Sequence, residues 1–141
     1  MTREPIYQAL FAKLQTITGV NTFSRRLELW SDVQPPNQPA IFQAQVKERQ
    51  EPRKGLPAKV ILEVNVYLYV YSGNDMNVVP ATQLNQFMDA IEAALAPDVN
   101  GVQTLGGTVS HCWIEGETIT DEGVLGPQAI AIIPVRILAN H

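Results

Sequence analysis

KVILEVNVYLYVY, residues 59–71, decides the architecture. Val60, Leu62, Val64, Val66, Leu68 and Val70 hold every even position, and because successive side chains of a strand point to opposite faces, this is a strand with one wholly apolar face. At roughly 3.3 Å per residue it extends over about 43 Å, well beyond a typical strand of about five or six residues. Its odd face carries Lys59, Ile61, Glu63 and Asn65, then Tyr67, Tyr69 and Tyr71. Tyrosines in a row on one face imply partial burial, under the protein's own helix in the simpler reading or under a neighbouring subunit in the other.

Working back toward the N-terminus, residues 47–59 hold five of the ten basic residues, Lys47, Arg49, Arg53, Lys54 and Lys59. The centre of that stretch, RQEPRKGLPA, has the proline, glycine and charge content of a mobile segment. A long basic hairpin loop of about ten residues is expected there, with a role in contacting a partner. Residues 40–49 alternate, placing Phe42, Ala44 and Val46 on one face and Gln43, Gln45 and Lys47 on the other. SDVQPPNQP, residues 31–39, must be a loop, because its three prolines forbid ladder pairing. Residues 22–30 read as a weakly alternating strand. Residues 2–18 read as a helix, with Ile6, Leu10, Leu14 and Ile17 on one stripe, Thr2 as N-cap, Pro5 in the first turn and Gly19 as C-cap.

Toward the C-terminus, the turn residues SGND precede a second helix over 79–96, striped by Leu84, Phe87, Met88, Ile91 and Leu95 and stopped by Pro97. Gly106-Gly107 predicts a hairpin between strands at 102–105 and 108–115. Residues 118–128, with Gly123, Gly126 and Pro127, read as a loop. The last strand, 129–139, alternates through Ala131, Ile133, Val135 and Ile137, and Pro134 implies an edge or a bulge. The order α-β-β-β-α-β-β-β predicts an α+β, sandwich-like fold in one domain over 1–141: a mainly antiparallel sheet with two helices packed on it. The predicted core is Val60, Leu62, Val64, Val66, Leu68, Val70, Leu84, Phe87, Ile91 and Leu10.

The composition agrees with a single core, since 141 residues, 45% hydrophobic, are enough to fold without disulfides or a structural metal. The single cysteine, Cys112, implies no internal disulfide and points to a reducing compartment. The charged MTREP start, with no apolar signal core behind it, and the short apolar runs imply neither export nor a membrane partner. Residues 1–59 hold nine basic residues against five acids, whereas 60–141 hold one, Arg136, against nine. A basic first half and an acidic second half provide two surfaces that can meet in neighbouring copies, while the net charge of −4 argues against nucleic-acid recognition.

Chemistry-bearing clusters are few. His111, Cys112 and Glu115 invite a metal or thiol-nucleophile reading, but His111 and Cys112 point to opposite faces of a strand, and only His141 offers a second imidazole. Ser110 and His111 with Asp121 fail as a triad because strand neighbours do not converge. Glu115, Glu117, Asp121 and Glu122 suit a solvated hairpin and loop better than an acid–base pair. Gly123-Val124-Leu125-Gly126 spells the GxxG of a KH loop but lacks its helix and its basic surroundings. No phosphate-binding, dinucleotide, zinc-protease or serine-hydrolase motif is present. The expectation is no enzyme, no metal and no cofactor.

The stretches SRRLELWSDVQPPNQPAIFQ, LGGTVSHCWIEG and DEGVLGPQAIAIIPVRIL, set around the ALFAKLQ helix and the VNVYLYVYS strand, resemble tail terminator proteins (tail completion or neck proteins) of tailed phages and prophages. The resemblance runs from Ile6 to Leu138, and its motifs are structural rather than catalytic. It implies a virion protein, assembled in the host bacterial cytoplasm, that closes head to tail into a homohexameric ring on the tail tube, stops tube growth and offers a joint to the head connector. Implied partners are further copies of itself, the tail tube protein, a connector or neck protein and the tail sheath. Interface residues expected on this reading are Lys47, Arg49, Arg53, Lys54, Lys59, Tyr67, Tyr69 and Tyr71. The alternatives are another neck or connector protein, or a small ligand-binding or enzymatic domain using the His111, Trp113 and Glu115 face.

Overall fold

The two faces of the 59–71 strand meet different surroundings, which sets the layering. In a computed structural model, which describes residues 1–123 and 126–139, this strand is β3, Leu56–Tyr71, and it lies inside a six-stranded sheet. Its neighbours are β2, Ala40–Arg53, and β6, Gly126–Leu138, both antiparallel to it. β1, Thr22–Ser24, runs parallel to the start of β2, and β4, His111–Ile114, and β5, Ile119–Gly123, pair one after the other along the far side of β6. The helices are α1, Arg3–Leu14, and α2, Pro80–Ala94. The fold is thus α+β, as the periodicities predict.

The six even-numbered aliphatics of β3 are each at most 7% exposed. They share a core with Ile6, Leu10 and Leu14 of α1, Leu84 and Ile91 of α2, and Ala131, Ile133, Val135 and Ile137 of β6. Burial of those six β3 side chains alone is worth roughly 10–15 kcal/mol gross, comparable to a domain's whole net stability. A one-residue slip would expose all of them, so the register is firmly set. Phe87 departs from expectation: it packs on the rim of the core, half-buried, while Tyr7 occupies the interior at 1% exposure. Among the described residues no helix is long and apolar enough to cross a membrane.

Several boundaries depart from the sequence reading. α1 stops at Leu14 with Gln15 as its C-cap, and Thr2 stands at the N-cap without a side-chain bond. The 22–30 strand is only three residues long, because the Ser24 hydroxyl turns back to accept from the Arg26 amide at 3.0 Å. Residues 102–110 form no strand. Leu105, Gly106 and Gly107 all have positive φ, and the Thr104 carbonyl gathers the amides of Gly107, Thr108 and Val109, coiling the chain so that Leu105 and Val109 dip into the core. Residues 118–128, read as a loop, instead supply β5 and the start of β6, with Gly123 opposite Gly126. The middle of the GxxG, Val124-Leu125, lies outside the described residues.

Pro134 sits inside the sheet, yet its position fits the expectation of a local edge. Its carbonyl accepts from Glu115 N at 3.3 Å, so its missing amide hydrogen faces the gap between β4 and β5. Gly116, with φ +106°, crosses that gap close over the proline ring.

Candidate interaction surface

Both helices cover the even face of β3, and the odd face is left to a single loop. Residues 25–39 fold over one end of it, burying Val33, Ala40, Phe42 and Tyr69 in a second, smaller core bordered by Trp30, Tyr67 and Ile130. Tyr69 packs on Phe42 with ring centroids 5.4 Å apart and donates its hydroxyl to Glu28 O at 2.7 Å. Burial, then the neighbouring Tyr67 and Glu28, push its phenol up to about 12. Cover of the tyrosine row by a helix is therefore corrected: a proline-rich loop covers it, and Tyr69, at 4% exposure, is not a surface residue. Tyr67 and Tyr71 remain half-buried.

That loop is held by two buried glutamines. Gln38 and Gln128 exchange amide bonds at 2.9 and 2.8 Å. Gln38 also donates to Val33 O, and Gln128 to Val70 O and Ala129 O. A third glutamine, Gln43, reaches under α1 to donate to Tyr7 O at 3.0 Å. A bulge at Val46 then exchanges the two faces of β2, so Lys47 joins Phe42 and Ala44 on the odd side, contrary to simple alternation.

Farther along the odd face a polar row crosses four strands. Lys47, Glu63, Arg136 and Trp113 are successive directly opposed partners on β2, β3, β6 and β4. Lys47 Nζ lies 3.4 Å from Glu63, Arg136 Nε lies 3.1 Å from the same carboxylate, and Arg136 also pairs with Glu115. Trp113 Nε1 donates to Glu115 at 3.0 Å, and the indole stacks on His111 at 5.0 Å and 16°. The His111, Trp113 and Glu115 face thus exists as the alternation predicts. Its groups are engaged with one another: His111 Nδ1 accepts from Gln103 N at 3.0 Å, and the Glu115 carboxylate is held between an indole N–H and a guanidinium. Such opposed charges contribute a few tenths to about 1 kcal/mol each and stiffen the sheet.

Cys112 points the other way, into the core, where burial pushes its thiol up to about 12 and removes its nucleophilic form. Ser110 and His111 lie far from Asp121. His111 pairs with Leu138 and Asp121 with Ile130, eight positions apart on β6, or roughly 27 Å. Among the described residues no three His, Cys, Asp or Glu side chains are grouped to hold a metal. His141 lies outside those residues.

The basic stretch is not a mobile loop. β2 runs to Arg53 and β3 begins at Leu56, leaving a two-residue turn, Lys54-Gly55, in which Gly55 takes φ +76°. β6 ends opposite Ile61, so beyond Val60 the hairpin continues as a bare two-stranded ribbon about 15 Å long. Cross-strand pairs Gln50–Val60 and Glu51–Lys59 keep it regular, with a bulge in β3 at Pro57-Ala58, opposite Pro52. Arg49 pairs with Glu51, and Arg53 donates to Pro57 O. Among the described residues Arg53, Lys54 and Lys59 make no ion pair, and Leu56 at the tip is 62% exposed. Charge content alone located this basic hairpin; its strand character follows only from pairing across the turn.

No protein-family model matches the chain, and no curated protein matches it significantly.

Proposed function

We propose that this protein is a structural assembly subunit, a tail-terminator-type protein that closes head to tail into a ring on the end of a phage tail tube. The observation that carries the reading is the ribbon. A two-stranded ribbon beyond the sheet, with an exposed leucine at its tip and cations that make no ion pair among the described residues, contributes little to its own core and is only marginally stable alone. Such a feature is useful when a second surface receives it. A half-buried sheet face stiffened by the Lys47–Glu63–Arg136–Glu115 row suits a rigid subunit, and the sequence resemblance to tail terminators names the assembly it fits. Further partners on this reading are the tube protein on one face of the ring and a connector or neck protein on the other. The test is to polymerise the cognate tail tube protein with and without this chain and measure tube lengths by electron microscopy. Short, capped tubes are expected; an unchanged length distribution overturns the proposal.

A further inference from the structure

The register of the sheet separates two complementary charged surfaces so widely that they cannot meet within one molecule. β5 pairs with β6 at residues 129–132, and these pair with β3 at 67–70. The ribbon tip at Leu56 lies about 40 Å away along β3. Around β5 stand Glu117, Asp121 and Glu122, none of them ion-paired among the described residues. Between them Ile119 is 60% exposed. Asp121 is half-buried, and among the described residues one of its carboxylate oxygens is buried without a hydrogen-bond partner, leaving the other to face outward. The tip carries the mirror set: Leu56 at 62% exposure, flanked by Arg53, Lys54 and Lys59.

We propose that the ribbon tip of one copy docks on the β5 edge of the next, Leu56 against Ile119, with Arg53 and Lys54 against Glu117 and Asp121, which shares the face of Ile119. The inference rests on the assembly reading above and names its contact. Two different surfaces that complement each other across copies give a heterologous interface, which closes into a ring if the rotation allows. The apolar pair supplies burial at the centre, while the surrounding charges steer the encounter and set the direction. The bulge at Val46 and the charges along β2 oppose open-ended strand pairing, so the contact is made by side chains at the tip.

The test is disulfide trapping. Both positions are exposed, and the single native thiol, Cys112, is buried at 1% exposure, so Leu56→Cys/Ile119→Cys reports this contact alone. Oxidation at low salt, with and without tail tubes, should give a ladder of dimers, trimers and higher species on non-reducing gels. Neither single variant should give more than a trace. The ladder should be lost on adding Arg53→Glu/Lys54→Glu and should return when Glu117→Lys/Asp121→Lys is combined with it. Circular dichroism of each variant checks that the fold is retained. Absence of a ladder from the folded double-cysteine protein, or an equal yield from Leu56→Cys alone through symmetric tip-to-tip contact, overturns the proposal. The two readings separate cleanly: tubes capped without a ladder keep the function and reject this contact, whereas a ladder without capping keeps the contact and rejects the function.

Discussion

Replacing Gln128 by leucine tests how the 25–39 loop is held on the sheet. Gln128 is 3% exposed and Gln38 is 6% exposed, so neither amide has water to fall back on. The substitution preserves volume but removes four bonds: the two exchanged with Gln38 and those to Val70 O and Ala129 O. Gln38 keeps its bond to Val33 O and is left with an orphaned carbonyl. A buried polar group without a partner costs about 1–3 kcal/mol, and leucine recovers part of that through its apolar surface. The net expectation is a loss of about 1–2 kcal/mol from a total of roughly 5–15, or about 5 °C in Tm. Urea denaturation followed by tryptophan fluorescence is the assay, since Trp30 lies in the clamped loop. Adding Gln38→Leu should restore part of the loss, because it removes the orphaned Gln38 carbonyl at the expense of the bond to Val33 O. A single-variant loss under about 0.5 kcal/mol, or strict additivity in the double variant, would refute the clamp.

Further outcomes follow from the same structure. Val66→Asp places a charge at a fully buried position and should unfold or aggregate the protein, at a cost of several kcal/mol; a soluble variant with unchanged Tm contradicts the core assignment. Burial shifts the ionisation of Cys112, Tyr69 and Tyr7 to higher pH in the folded protein, so the unfolded chain releases these protons first as pH rises. Stability should hold at neutral pH and fall from about pH 9 toward 12, as urea midpoints across that range would report, with Tyr69→Phe reducing the decline above pH 10. Elemental analysis of untagged protein should find no stoichiometric zinc, and zinc that disappears in His111→Ala would revive an active-site reading of that face.

The parts of the fold legible in the sequence are those whose periodicity is local. The even aliphatics of β3 and the stripes of α1 and α2 announce themselves because each pattern repeats within its own segment. The extent of β2 was hidden: EPRKG reads as a breaker on composition, yet Glu51 and Arg53 have partners at Lys59 and Leu56, and cross-strand pairing outweighs weak local preference. β5 was hidden in the same way, its turn glycines marking a hairpin instead of a loop. Nor does sequence pattern reveal that Gln38, Gln43 and Gln128 are buried, since their partners lie 90 and 36 residues away. Of the candidate surface, the basic charge was legible from composition. The acidic β5 edge and the exposed Leu56 and Ile119 became visible only once register fixed their places.

On the reading we propose, this chain works through its surfaces as a ring-forming subunit. Imaging of tail-tube ends assembled with the purified protein, averaged without imposed symmetry, decides whether it does. A closed ring of identical copies is expected at the capped end, each ribbon reaching its neighbour. Tube ends that carry no such density, with the protein remaining a free monomer and the tubes growing on, would contradict that reading.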